Sequence, residues 1–355
     1  MRKFIKQIAV YVAVAFLASE ILARIFIDPV YFQLVDTYNL NDKSAPKFER
    51  ITQAFSNQKT SKVDYLFIGS SRVPASINPQ VFMELDSGKV AVVAGRGFMT
   101  AGIHYQALKM RLKDFPDFLK GATVFLEYPG SRIYDQSFEE QVFKVHESGS
   151  EAMPHLLIPH LDFVDLKGFL TQSPNSFGVK AEMVGLYLSA FYRSIPFIRE
   201  NLTNLEKPLF KQESDKSGIL ASDGGIRNDN LDFAKAKAIE LAETRKNDLA
   251  SSPQISPSQL DKSILVKIHE LIISNQGKLV LYKMPLHSIQ QEIYNSKQEI
   301  ANKEIFESWL TSNEIQTLQN PNFEYEDSDF PDVWHLSKAR RDEFSKLLFE
   351  ELERK

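Results

Sequence analysis

Runs of apolar residues divide this chain into blocks. The first run, Ile8 to Ile27, is apolar almost throughout and predicts a single helix. At 1.5 Å per residue it is about 30 Å long, enough to cross a bilayer core. From Asp28 to Lys62 aromatic and polar residues mix without strong periodicity, as in a stalk or short helix. Beyond Val63, short strand-like runs alternate with helical spacing. Val63 to Ile68 (Val-Asp-Tyr-Leu-Phe-Ile) ends at Gly69, a Ser-rich turn follows, and Asn78-Pro79 supplies an N-cap with proline at the first helical position. Lys89 to Ala94 repeats the pattern, followed by Gly95 and Gly97 and then by helical spacing over Ile103 to Leu112. Ala122 to Tyr128 reads as a third strand; Lys278 to Lys283, after a helix around Leu260 to Asn275, reads as a fourth.

Strands alternating with helices imply a parallel sheet covered on both faces. The expected class is α/β, a three-layer α/β/α arrangement around a mainly parallel sheet. Between the third and fourth strands, Met153 to Leu205 is rich in Phe, Leu and Tyr at helical spacing, and Lys211 to Asn230 is polar. These read as a helical insertion over about residues 136–258, although further core helices would give the same texture. Leu336 to Leu352 places Phe344, Leu347, Leu348 and Leu352 on one face, an amphipathic C-terminal helix that closes the sheet. The chain thus divides into an N-terminal membrane anchor (1–28), a stalk or linker (29–62) and an α/β domain with its insertion (63–355).

Charge refines the first block. Arg2, Lys3 and Lys6 precede it, which argues that the N-terminus stays inside and the remainder is exported. Glu20 and Arg24 interrupt it, but their i,i+4 spacing lets them pair near the outer end. A cleaved signal peptide is the other reading; the small-x-small site Ala13-Val14-Ala15 comes too early to leave a full apolar core before it. The expected location is the cytoplasmic (inner) membrane, single-pass, with the domain on the extracytoplasmic, periplasmic side. A formal net charge of -4, with 42 basic and 46 acidic residues interspersed, supplies no basic field for nucleic acid. With no cysteine, covalent catalysis here has to use oxygen or nitrogen.

In a parallel α/β sheet, function gathers where strands end and helices begin. Gly69-Ser70-Ser71-Arg72 stands at such a place. A serine in that turn can be an exposed nucleophile whose own N–H faces an oxyanion, yet Gly-Ser-Ser turns also occur in inert proteins. The partner lies far along the chain: Asp332-Val333-Trp334-His335 precedes the terminal helix, and an acid three residues ahead of a histidine can hold Nδ1–H while Nε2 faces a serine.

These residues resemble the SGNH, or GDSL-like, hydrolase superfamily from Val63 to Lys355. The resemblance implies a nucleophile at Ser71, an acid at Asp332, a base at His335, and oxyanion N–H groups from Ser71 and from Gly95 or Gly97. The Gly-Ser-Ser-Arg variant with an N-terminal anchor is most similar to the branch associated with bacterial cell-surface polysaccharides and teichoic acids. That branch includes alginate acetylation and D-alanine-transfer proteins. It implies an esterase or O-acyltransferase (O-acetyltransferase) acting on O-acyl groups of cell-envelope polysaccharide. The implied partners are that polysaccharide or its acyl donor and a membrane acyl exporter; no cofactor is required. Two positions depart from the family pattern: Ser70 replaces the aspartate of Gly-Asp-Ser, and Glu127-Tyr128-Pro129-Gly130-Ser131 stands where a Gly-x-Asn-Asp block is expected. Arg72 or Arg132 could replace the lost donor and contact substrate. The alternative is a catalytically inactive, membrane-tethered scaffold or carbohydrate-binding protein on the same fold.

Other residues carry less. His155 and His160 are five apart and do not share a helix face as metal ligands would, so no metal is expected. His287, after the fourth strand, reaches the same sheet edge and could line the site, but no acid close in sequence orients it.

Overall fold

The computed structural model describes residues 2–27, 61–94, 101–128, 162–172, 254–318 and 323–354, with scattered positions between 181 and 247. The chain forms two compact units, Met1–Arg50 with Val142–Asp215 and Ile51–Gln141 with Lys216–Lys355.

In the first unit, helix α1 (Arg2–Leu22) continues as a π-helical turn over Ala23–Ile27. The stretch Lys6–Ile25 is long and apolar enough to cross a membrane. Arg24 Nε donates to Glu20 Oε1 at 2.8 Å, the i,i+4 pairing expected from the sequence. The same two side chains hold a later segment: Arg24 Nη2 donates to the Leu188 carbonyl at 3.0 Å, and Ser189 Oγ donates to Glu20 Oε2 at 2.8 Å. Helix Phe163–Gln172 belongs to this unit and lies within the expected insertion, most of which falls outside the described residues.

The second unit is built on five parallel strands: β1 (Tyr65–Ile68), β2 (Ala91–Val93), β3 (Thr123–Glu127), β4 (Lys278–Tyr282) and β5 (Gln316–Leu318), in the order β2-β1-β3-β4-β5. Successive strand side chains point to opposite faces, and here both faces are buried. On one face Tyr65, Phe67, Phe125, Val280 and Tyr282 share a core with Phe82, Phe344 and Leu348. On the other, Leu66, Ile68, Val124, Leu126, Leu279 and Leu281 are buried as well. Phe67 pairs with Phe125 in register, and their rings stack with centroids 4.6 Å apart.

The helices begin and end on chemical signals. A single turn, α2 (Arg72–Ser76), follows β1; α3 (Pro79–Leu85) is capped by Asn78, whose side chain accepts from Gln80 N–H at 3.1 Å. Helices α4 (Ala101–Asp114) and α5 (Ile264–Ser274) pack together, and α5 stops at Asn275 before Gln276 turns left-handed at φ 61. Helix α6 (Ser288–Tyr294) leads into α7 (Lys297–Ser312), which Ser296 caps by accepting from Glu299 N–H. The C-terminal α8 (Lys338–Glu353) buries Phe344 and Leu348 and packs on α2 and α3.

Three features differ from the sequence reading. The three-residue β5 extends the sheet beyond the four strands expected, and α2 interrupts the turn that was to lead straight to Pro79. The helix expected over Leu260 to Asn275 is two pieces, a turn Pro257–Leu260 and then α5. Strand order 2-1-3-4-5 reverses direction between β1 and β3, and the carboxyl ends of these two strands flank the crevice where doubly wound sheets bind ligands.

Candidate active site

The site begins where β1 ends. Gly69 adopts φ 151, and a Cβ built there would lie 2.6 Å from both Glu127 Cγ and Val73 Cγ2. Only glycine lets β1 turn this closely against β3. Ser71 follows in right-handed helical conformation (φ -59, ψ -18), at the N-cap position of α2 but with no side-chain capping bond. Its hydroxyl is instead committed across the site. From the far side of the turn, buried His104 on α4 donates from Nε2 to the Gly69 carbonyl at 2.9 Å. Burial lowers the His104 pKa to about 4, so its ring is neutral and fixed as the Nε2–H tautomer.

The second half of the site is the loop before α8. Val333 is fully buried at φ 71, a left-handed conformation that β-branched residues rarely adopt. That reversal wraps the backbone around the carboxylate of Asp332, itself fully buried. Asp332 Oδ1 accepts from the N–H groups of Trp334 at 3.2 Å and His335 at 2.9 Å, while Oδ2 lies 2.6 Å from His335 Nδ1. Phe330, Val333 and Leu336 anchor the loop in the core, and Ser337 N–H donates to the Asp329 carbonyl at 2.8 Å.

The two halves meet. Ser71 Oγ lies 2.8 Å from His335 Nε2, across 264 residues of sequence. With Nδ1–H donated to Asp332, Nε2 is the bare nitrogen and accepts the serine proton. The hydroxyl, imidazole and buried carboxylate therefore form one hydrogen-bonded chain. Such a chain supports general-base-assisted attack of an oxygen nucleophile on an electrophilic carbon.

Arg72 is positioned differently from the substrate-contact role suggested by sequence. It is buried, and its Nη2 donates to Glu127 Oε1 at 3.2 Å. Burial, the largest single influence, would lower its pKa, but the charge and hydrogen bonding of Glu127 and Tyr294 together outweigh it, and the net shift is upward. Ser70 Oγ donates to Glu127 Oε2 at 3.1 Å and accepts from Arg72 N–H at 3.3 Å. Glu127 at the end of β3 is thus the acceptor at the centre of a polar cluster under the Gly69–Arg72 turn. The guanidinium is occupied there rather than offered to an oxyanion.

His287 caps α6: its Nδ1 accepts from Ile289 N–H at 3.2 Å. Asp327, an acid distant in sequence, lies 3.6 Å from that nitrogen but accepts instead from Ser288 N–H at 2.8 Å. The structure gives His287 a helix-capping role at this edge. Gly95, Gly97 and Arg132, like His155 and His160, lie outside the described residues. Three contributors to the site escape sequence reasoning: His104, Glu127 as an ion-pair partner, and Gln290, whose buried amide bonds Arg72 and the Val333 carbonyl. Glu127 carried a faint signal, since a carboxylate ending an otherwise apolar strand has to be paired when buried; His104 and Gln290 sit in ordinary helical sequence.

Comparison of the sequence with known protein families and with curated proteins finds no match.

Proposed function

We propose that this chain is an SGNH-like serine acyl-ester hydrolase or O-acyltransferase, tethered by α1 with its catalytic domain on the extracytoplasmic side. The observation that carries the reading is the Ser71–His335–Asp332 hydrogen-bonded chain at the β1/β3 switch point. In the reaction Ser71 Oγ attacks the acyl carbonyl carbon and its proton passes to His335 Nε2. Asp332 holds the imidazolium through Nδ1–H. The oxyanion of the tetrahedral intermediate is held by Ser71 N–H and by a second N–H, for which the family resemblance implies Gly95 or Gly97. Collapse breaks the ester C–O bond, and the departing alkoxide takes the proton from His335. Water or a hydroxyl of an acceptor then attacks the acyl-serine, giving its proton to His335, which returns it to Ser71 as the acyl group leaves.

The family resemblance supplies the substrate class, O-acyl groups on envelope polysaccharide, and a membrane acyl exporter as donor partner. Replacing Ser71 with Ala removes turnover of acetyl esters, to below about one thousandth of the unmodified rate; unchanged turnover rules the mechanism out. The occupied guanidinium of Arg72 favours a second reading, a tethered carbohydrate-binding scaffold on the same fold. That reading predicts polysaccharide binding with no esterase activity at all.

A further inference from the structure

Gln290, on α6, is 1% exposed and carries one donor and one acceptor group into the space between the two halves of the site. Its Oε1 accepts from Arg72 Nη1 at 3.4 Å, and its Nε2 donates to the Val333 carbonyl at 2.6 Å. On one side it therefore touches the guanidinium that pairs with Glu127, immediately after the nucleophile. On the other it touches the backbone of the strained residue between Asp332 and the Trp334 N–H that Asp332 accepts. Glu127, Arg72, Gln290 and Val333 thus form a continuous buried polar relay from the end of β3 to the acid-base loop.

We infer that Gln290 is a positioning residue, which sets the separation of Ser71 and His335 by tying the nucleophile turn to the Val333 carbonyl. The inference rests on the reading of Ser71 and His335 as nucleophile and base. Its physical basis is that a left-handed Val333 is stable only where its surroundings hold it. The peptide carbonyl of Val333 is one handle by which they do so. A primary amide carries its acceptor oxygen and its N–H donors on separate atoms, so one neutral side chain accepts from the guanidinium and donates to the carbonyl at once. If that peptide rotates, the Trp334 N–H that Asp332 accepts moves with it, and small losses of alignment cost large factors in rate.

Gln290→Glu separates the two arms, since a carboxylate keeps and strengthens the contact to Arg72 but cannot donate to the Val333 carbonyl. Gln290→Met keeps the shape and removes both. Three readouts are taken on the full-length protein in detergent: near-ultraviolet circular dichroism, the rate of labelling by a fluorophosphonate, and the low-field proton resonance of the His335 Nδ1–H. The inference predicts folded variants with native dichroism, labelling slowed at least tenfold, and a His335 Nδ1–H resonance shifted or lost to exchange. Gln290→Asn, whose shorter amide can rejoin one arm, recovers part of the labelling rate. Labelling and resonance both unchanged in Gln290→Glu and Gln290→Met overturn it, and so does loss of native dichroism in both, which makes Gln290 a folding residue only. If the unmodified protein is not labelled, the catalytic reading fails, and the shift of the Nδ1–H resonance alone then decides whether Gln290 positions His335.

Discussion

At the scale of single residues, the site depends on buried polar groups whose partners leave them no alternative arrangement. His104 shows this most simply. Its neutral ring holds the Gly69 carbonyl, and burial lowers its pKa to about 4 from an ordinary value near 6.5. The unfolded chain therefore takes up the proton first as pH falls. The stability contributed by neutral His104 is complete above about pH 6.5 and is lost as pH falls toward 4, a total of about 3 kcal/mol. Urea unfolding followed from pH 7 to pH 4 is expected to show this slope in the unmodified protein. In His104→Gln, which keeps a donor but does not titrate, that part of the slope is absent; parallel curves for the two proteins contradict the assignment.

At the scale of elements, β1 and β3 are fastened at their carboxyl ends by the Arg72–Glu127 pair, both side chains under a tenth exposed. Arg72→Met removes the guanidinium counter-charge of the buried Glu127 carboxylate and is expected to cost about 3–5 kcal/mol. Replacing both residues with Met recovers most of that loss. Urea midpoints of the single and double variants check this, and a single variant costing under about 1 kcal/mol refutes it. The strand-helix alternation from Val63 to Lys283 was legible in the sequence because the strands are continuous apolar runs and Asn78-Pro79 and Gly69 mark helix starts and turns. The meeting of Ser71 with His335 and Asp332 was legible because one segment follows a strand end and the other precedes a helix start. The missed elements have a physical reason too. Strand β5 has three residues, half-buried except for Leu318, and gains its register only from β4, while α2 is one turn stabilised by packing on α8. Arg72 was misread because its neighbour in space, Glu127, is 55 residues away and no local pattern links them.

At the scale of the whole molecule, the apolar helix and the α/β unit have separable tasks. Lys6–Ile25 presents exposed apolar side chains, among them Tyr11, Val12, Leu17 and Ile25, as a bilayer-facing helix would. If this helix is the proposed anchor, deleting residues 1–27 is expected to move the protein from the membrane fraction to the soluble fraction. The site residues all belong to the second unit, which has its own core, and the truncated protein is expected to retain fluorophosphonate labelling. Continued sedimentation with membranes after truncation counts against the anchor. The proposed chemistry turns on one hydroxyl and the imidazole 2.8 Å from it. Its most direct measurement is the mass of the fluorophosphonate adduct mapped by peptide in the unmodified protein and in His335→Ala. An adduct on Ser71 that nearly vanishes without His335 is expected; no adduct, or one on another residue, rules the proposed chemistry out.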